Sequence, residues 1–341
     1  MIRRPSVAGV LGAILVTVVL IWLIVNMAKT PAAFTNILII GITNGAVYGL
    51  IAIGYSLVYG ILELINFAHG DIFMLGGMST STMVASLGLA AGDPWYTLLG
   101  GILLSLFAAM ALCGLLNMGT ERVAYRRLRH APRLAPLITA IGMSFIFQNV
   151  GLVWKGARPV SIPDILPHGT VFTIPIGGGV DYTWNKLIVL VITFPVLLAL
   201  VYLVQNTRQG KAMRATAQDR DAAAMMGIDV DRTISFTFAL AGCLAGAAGL
   251  IFALYFTNVT YLTGFRVGLI AFTAAVFGGI GNLPGAVLGS MLIGLMESFN
   301  NGLTWLSPGS DWTEAIIFAI LILILVFRPE GLLGERTPEG G

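Results

Sequence analysis

The segment Gly210–Arg232, GKAMRATAQDRDAAAMMGIDVDR, gathers charge in a chain where charge is scarce. Within it, Asp221-Ala222-Ala223 is followed four residues on by Gly227. Small residues on a short helix let another protein's surface come close, and a glycine can turn the chain sharply. The chemistry these residues suit is docking, not bond breaking. An ordinary charged loop is the other reading, because the inner loops of membrane proteins collect Lys and Arg. The mixed charges, the small-residue run and the glycine are patterning that such a loop does not need.

A second group lies in Asn44–Gly77, NGAVYGLIAIGYSLVYGILELINFAHGDIFMLGG, where Glu63, His69 and Asp71 interrupt an apolar run. A charge at a helix centre costs roughly 2.5–3.5 kcal/mol on insertion scales. These residues therefore sit either in a tight cytoplasmic turn over 61–71 or on a broken helix lining a path. In the second case Asn66 and His69 are exposed to the path, with Asn44 and Tyr48 on the run before them. A third group, Thr273–Gly289 (TAAVFGGIGNLPGAVLG), has Gly279 and Asn282 between two short apolar stretches. Segments interrupted this way point to discontinuous helices beside a transport path, whose free amides and carbonyls suit a zwitterion. Close backbone packing is the bland account of the same glycines. Glu297 is an isolated acid in an apolar run, toward its outer end. Asp311 and Glu314 open the last run, where acids suit a helix N-terminus.

Catalytic groupings are missing from the sequence. Gly210-Lys211 is followed by Ala212 and lacks the upstream glycine of a phosphate-binding loop. His69, His130 and His168 are far apart, and Cys113 and Cys243 lie in apolar runs without metal-ligand spacing. The expectation is a non-enzyme with no cofactor and no metal of its own.

The elements that position these groups follow from composition. The chain has 341 residues, 57% hydrophobic and 10% charged, against about 25% charged in soluble domains. Its mean hydropathy is +0.89. The lipid bilayer is its solvent, and a net charge of +3 gives no reason to expect nucleic acid. A span needs about 20 apolar helical residues. Ten runs qualify, at 7–28, 35–60, 64–90, 96–118, 134–154, 186–205, 233–256, 265–280, 285–303 and 311–327. The fold class is an all-α polytopic membrane protein of about ten transmembrane helices, in a range of eight to ten, with broken helices near 60–71 and 276–285. The first run exceeds the 7–15-residue core of a signal peptide, so it reads as a span that is kept.

Placing the N-terminus in the cytoplasm puts most of the basic residues inside: Arg3 and Arg4, the cluster 122–133, the cluster 208–232, Arg328 and Arg336. Only Lys29, Lys155, Arg158, Lys186 and Arg266 fall outside. That bias orients the chain with both termini cytoplasmic. Ten spans divide as five plus five, and an odd number per half inverts the second half. The outer segment 155–185, rich in Pro and Gly, reads as an ordered loop that could face an external partner.

These segments together resemble the permease subunits of branched-chain amino-acid ABC importers, the LivH type. The stretches that carry the resemblance are 44–77, ERVAYRRLR (121–129), LITAIGMSFIFQN (137–149), RATAQDRDAAAMMGIDVDR (214–232) and AFTAAVFGGIGNLPGA (271–286). Asp221 stands where the coupling motif of such permeases has Glu, and the motif's I-x-LP ending is missing. The resemblance implies a domain layout: an extra N-terminal span over 1–34, a permease domain over 35–334 with a coupling segment at 206–232, and a short cytoplasmic tail at 335–341. It implies that Asp221, Ala222, Ala223 and Gly227 belong to the ATPase contact. It implies a second related permease, two cytoplasmic ATPases that hydrolyse the ATP, an extracytoplasmic binding protein and a bacterial inner membrane. The cargo would be branched-chain or other small neutral amino acids, with urea or short amides as the alternative. An ATP-independent secondary transporter is the rival class, but it should show mid-span carboxylates.

Overall fold

A computed structural model describes residues 7–334, apart from 130, 133, 168, 176–178 and 329. Arg3, Arg4, Arg133, His130, His168 and the tail at 335–341 with Arg336 lie outside the described residues. Side chains are described from residue 17 onward.

Apolar runs in lipid must satisfy every backbone N–H and C=O within themselves, which favours helices. All ten expected runs are helical. They are α1 (Val7–Lys29), α2 (Pro31–Leu62), α3 (Ala68–Ser86), α4 (Trp95–Thr120), α5 (Leu134–Lys155) and α6 (Trp184–Asn206). After the polar segment come α9 (Val230–Phe256), α10 (Thr263–Gly278), α11 (Leu283–Gly302) and α12 (Thr313–Phe327). The polar segment itself holds α7 (Arg208–Gln218) and α8 (Arg220–Met225). Among the described residues six helices are long and apolar enough to cross a membrane.

Breaks fall where local chemistry stops a helix. Pro31 starts α2, because its missing N–H is not needed there. Glu63 ends α2 in the left-handed region at φ 54°. Among its described residues the segment 155–185 contains short strands. β1 (Val160–Ser161) pairs antiparallel with β4 (Asn258–Val259), and β2 (Thr170–Ile174) pairs antiparallel with β3 (Val180–Thr183).

α2, α3 and α9 form the interior. The apolar window of α9 is 83% buried, against 11% for the window that ends in α12. α4 packs along α9, and α11 along α2. Glycine permits the α4–α9 approach: a Cβ on Gly242 would stand 2.3 Å from the Cys113 carbonyl oxygen, and one on Gly246 2.4 Å from that of Ala109. Helices in lipid associate through such close packing, because lipid tails provide no hydrophobic drive. Gly242→Ala is expected to destabilise the fold by about 1–3 kcal/mol through overpacking. Thermal unfolding of the purified protein in detergent checks this, and an unchanged midpoint would contradict the seam. Cys113 and Cys243 are both free thiols, Cys113 fully buried with Sγ donating to the Ile72 carbonyl.

Candidate functional site at the polar face

The polar segment folds into two short helices with closed ends. Thr207 caps α7 by accepting from the Gly210 N–H at 3.1 Å. Asp219 caps α8, its Oδ1 accepting from the N–H groups of Asp221 at 2.9 Å and Ala222 at 3.0 Å. At the far end the Gly227 N–H bonds the Ala224 carbonyl and the Ile228 N–H reaches back to the Ala223 carbonyl. This is the paired closure of a Schellman turn, and it needs a left-handed residue after the cap. Gly227 supplies it, at φ +83°. Asp229 then caps α9 through the Arg232 N–H.

Asp221, Ala222, Ala223 and Gly227 take distinct places. Ala223 is buried against the protein, while Asp221 and Ala222 lie on the outer side of α8. Gly227 has open space around it, with nothing within 4 Å of an added Cβ. Beside it Met225 and Met226 are 83% and 84% exposed. The result is a capped knuckle with small residues and two bare thioethers. Arg220 ties the knuckle to the interior by donating to the Ile61 carbonyl at 3.0 Å, at the end of α2. Asp219→Ala removes the cap from a six-residue helix and is expected to cost about 1 kcal/mol locally. Faster amide exchange at 221–224 is the readout, and unchanged exchange would contradict it.

The turn between α2 and α3 runs only from 63 to 67. The expectation that residues 61–71 all lie at an interface is corrected. Glu63 is exposed, but His69 and Asp71 are fully buried in the first turn of α3. The expected exposure of Asn66 and His69 to a path is not met in this conformation. Asn66 accepts from the Tyr125 hydroxyl at 2.9 Å and donates to Asn117 Oδ1 at 3.2 Å, and Asn117 donates to the Phe238 carbonyl at 2.7 Å. The His69 ring lies edge-on to Tyr55 and against Gly54, where a Cβ would stand 2.2 Å from Nε2.

In the sequence Asp71 stands out only as a charge interrupting an apolar run. It accepts a hydrogen bond from Ser144, and the Gln148 amide donates to the same hydroxyl. Ser144 lies near the middle of the 22-residue α5, about 15 Å from either end at ~1.5 Å per residue. Among the described residues no Lys or Arg forms an ion pair with this carboxylate. Asp71 is therefore a buried carboxylate beside the middle of α5.

Tyr48 donates to Glu297 at 2.6 Å, which brings two expected path residues together across α2 and α11. Asn44 is also on α2, with its Oδ1 buried and unpartnered. Gly279 and Asn282 do not join them. Residues 279–282 close a hairpin between α10 and α11, so the expected broken helix is a tight turn. Gly279 adopts φ +108° as the cap of α10. Asn282 caps α11 through the Gly285 N–H at 3.0 Å and donates to the Leu333 carbonyl at 2.8 Å. A Cβ on Gly278 would stand 1.8 Å from the Gly285 carbonyl oxygen, so close packing is the structural role of that motif. Glu314 occupies the first turn of α12 but forms an ion pair with Arg266 at 2.5 Å, and no side chain caps this helix.

Among the described residues no group of three or more His, Cys, Asp or Glu is placed to hold a metal ion. The arrangement provides a capped, exposed knuckle on a polar face and buried polar contacts between helices.

Comparison with known proteins agrees in scope. A protein-family description, branched-chain amino acid transport system / permease component, matches residues 37–325. The chain is 38% identical over 306 residues to the high-affinity branched-chain amino acid transport system permease protein BraD of Pseudomonas aeruginosa, covering 89% of this chain and 96% of that one. It is 36% identical over 300 residues to LivH of Escherichia coli, covering 88% and 95%. It is 27% identical over 296 residues to a probable LivH of Methanocaldococcus jannaschii, covering 84% and 88%.

Proposed function

Because this chain belongs to the branched-chain amino acid transport system permease family, we propose that it forms the membrane path of an ATP-driven importer for branched-chain or other small neutral amino acids. It is a transport subunit and not an enzyme. One observation carries the mechanism: the capped α8–Gly227 knuckle, with Met225 and Met226 bare, projects from a chain whose sequence has no phosphate cradle. In this reading the energy comes from a docked partner. Two cytoplasmic ATPases, a second related permease and an extracytoplasmic binding protein complete this reading. Asp221, Ala222, Ala223 and Gly227 form the ATPase contact, and the knuckle faces the cytoplasm of a bacterial inner membrane.

Ten spans with both termini inside fit this assembly. Helix pairing supports an inverted five-plus-five repeat. Matching α2 with α9, α3 with α10, α4 with α11 and α5 with α12 turns four of the observed helix pairings into four others. The pair α4–α9 becomes α11–α2, α3–α9 becomes α10–α2, α3–α4 becomes α10–α11, and α3–α5 becomes α10–α12. Every one of these pairs is present. Residues 1–34 are then an added span, 35–334 the permease domain and 335–341 a tail.

Tyr48, Glu297 and Asn44 on the α2–α11 side, and Asp71 beneath α5, are the polar groups within the spans that suit a path for a zwitterion. The test is uptake of radiolabelled leucine by the complex reconstituted with its ATPases and binding protein, with and without ATP. Isoleucine, valine, urea and short amides serve as competitors. ATP-dependent uptake blocked by isoleucine and valine is expected. Uptake competed only by urea or amides would keep the mechanism and change the cargo, and uptake indifferent to ATP would sink the reading.

A further inference from the structure

At the end of α4 the helix widens into a single π-turn, Glu121–Tyr125. Such turns are rare and cluster at functional sites, because the extra residue strains the ladder and leaves a place where it can shift. Both ends of this turn carry buried polar side chains, and each reaches a different neighbour.

Glu121 is 0% exposed, so its charge needs partners. Arg129 donates to one carboxylate oxygen, and Arg126 Nε lies 3.5 Å from the same atom. Ser235 on α9 donates to the other oxygen at 2.6 Å. Arg129 also pairs with Asp231, in the first turn of α9. Asp231 lies two residues beyond Asp229, which caps that helix straight after the Gly227 turn. Glu121 is thus joined, through Arg129, to the chain that leaves the docking knuckle.

Tyr125, at the other end of the turn, packs its ring on Phe238 of α9. Its hydroxyl donates to Asn66 in the α2–α3 turn at 2.9 Å, and Asn66 leads on through Asn117 to the Phe238 carbonyl. The same turn is reached from the knuckle directly, since Arg220 on α8 holds the Ile61 carbonyl at the end of α2. The polar contacts and the chain segments that join them therefore close a ring. It passes from α8 to the end of α2, to Asn66, to the π-turn, to the start of α9 and back to α8.

We propose that the π-turn Glu121–Tyr125 couples movement of the docking knuckle to the α2–α3 turn at Asn66, with Glu121 and Tyr125 as positioning residues at its two ends. This rests on the importer reading above. A displacement of the knuckle pulls on Asp231 and Ile61 together. The Arg220–Ile61 contact carries one route to the end of α2, and the second route reaches Asn66 only if both ends of the π-turn hold. Spatial continuity alone does not establish coupling, so the test is a double-mutant cycle.

The experiment uses the full complex in proteoliposomes. Leucine uptake and ATP hydrolysis are measured for the wild type, Glu121→Gln, Tyr125→Phe and the double variant, alongside the amount of ATPase that co-purifies. Each single variant is expected to lower leucine transported per ATP hydrolysed at least fivefold, with co-purified ATPase unchanged. The double variant is expected to be no worse than the weaker single one, because both break the same ring. Glu121→Asp, which keeps the charge, is expected to recover part of the loss. If Glu121→Gln fails to assemble, Tyr125→Phe removes only one hydroxyl and carries the test alone. Uptake per ATP within twofold of wild type in the single variants, or losses that multiply in the double one, would overturn the proposal. A wild-type complex without ATP-dependent uptake would instead sink the importer reading, so the two failures are distinguishable.

Discussion

Gly227→Val is expected to abolish ATP-dependent leucine uptake, by at least tenfold, while insertion and helix content stay unchanged. The reason is local. Gly227 sits at φ +83° with nothing within 4 Å of an added Cβ, so the Cβ of a substituted residue meets no neighbour. The penalty is backbone strain alone, about 1–2 kcal/mol for an ordinary L residue in the left-handed region, and a β-branched side chain is a genuine outlier there. α8 has six residues, too few to hold its shape without both caps. When the turn opens, the bonds from Gly227 and Ile228 back to Ala224 and Ala223 are lost. The knuckle then no longer presents a fixed surface. Co-purification of the ATPase and uptake in proteoliposomes check this together. Gly227→Asn is the control, since Asn tolerates the left-handed region, and it should retain most activity. Normal uptake in the valine variant would remove the knuckle from the coupling contact.

The helices were legible because lipid leaves the backbone little choice. A long apolar run has to be helical, and each of the ten runs is, with ends within a few residues of expectation. The knuckle was legible for a similar reason: Ala222-Ala223 and Gly227 are local signals, and caps and turns are decided locally. What the sequence did not show was depth. Asp71 and Glu63 are eight residues apart, yet one is fully buried and the other exposed. The difference depends on where α3 begins relative to α5 and α10, which is a matter of tertiary packing. Asn282 misled for the opposite reason. Its neighbours Gly279 and Pro284 suggest a broken span, but the same residues close a hairpin once Gly278 and Gly285 are in contact. The π-turn at Glu121–Tyr125 has no composition of its own. Its one early sign was an acid, Glu121, at the edge of an apolar run, and that acid's partner Ser235 lies more than a hundred residues away.

The knuckle's two methionines carry the second large effect. Met225→Asp together with Met226→Asp is expected to reduce co-purified ATPase at least tenfold, equivalent to about 1.4 kcal/mol of binding. Both side chains are more than four-fifths exposed, so neither contributes to this subunit's own core. Bare thioethers at the tip of a charged segment are costly to leave in water unless something covers them. Methionine suits that purpose, because its flexible, polarizable chain adapts to an apolar groove. Asp at both positions would carry charge into that groove without a partner, and a buried unpaired charge is strongly unfavourable. The exposed position predicts an intact fold, so thermal unfolding of the isolated permease should not move. Met225→Leu with Met226→Leu keeps the apolar surface and should bind the ATPase within about threefold of wild type. The pair of variants separates docking from charge in general, since Arg208, Lys211 and Arg214 stay in place in both. ATPase recovery unaffected by the double Asp variant would mean that the contact lies elsewhere on the segment. The candidates would then be α7, whose exposed face is basic, or the outer side of α8 at Asp221 and Ala222.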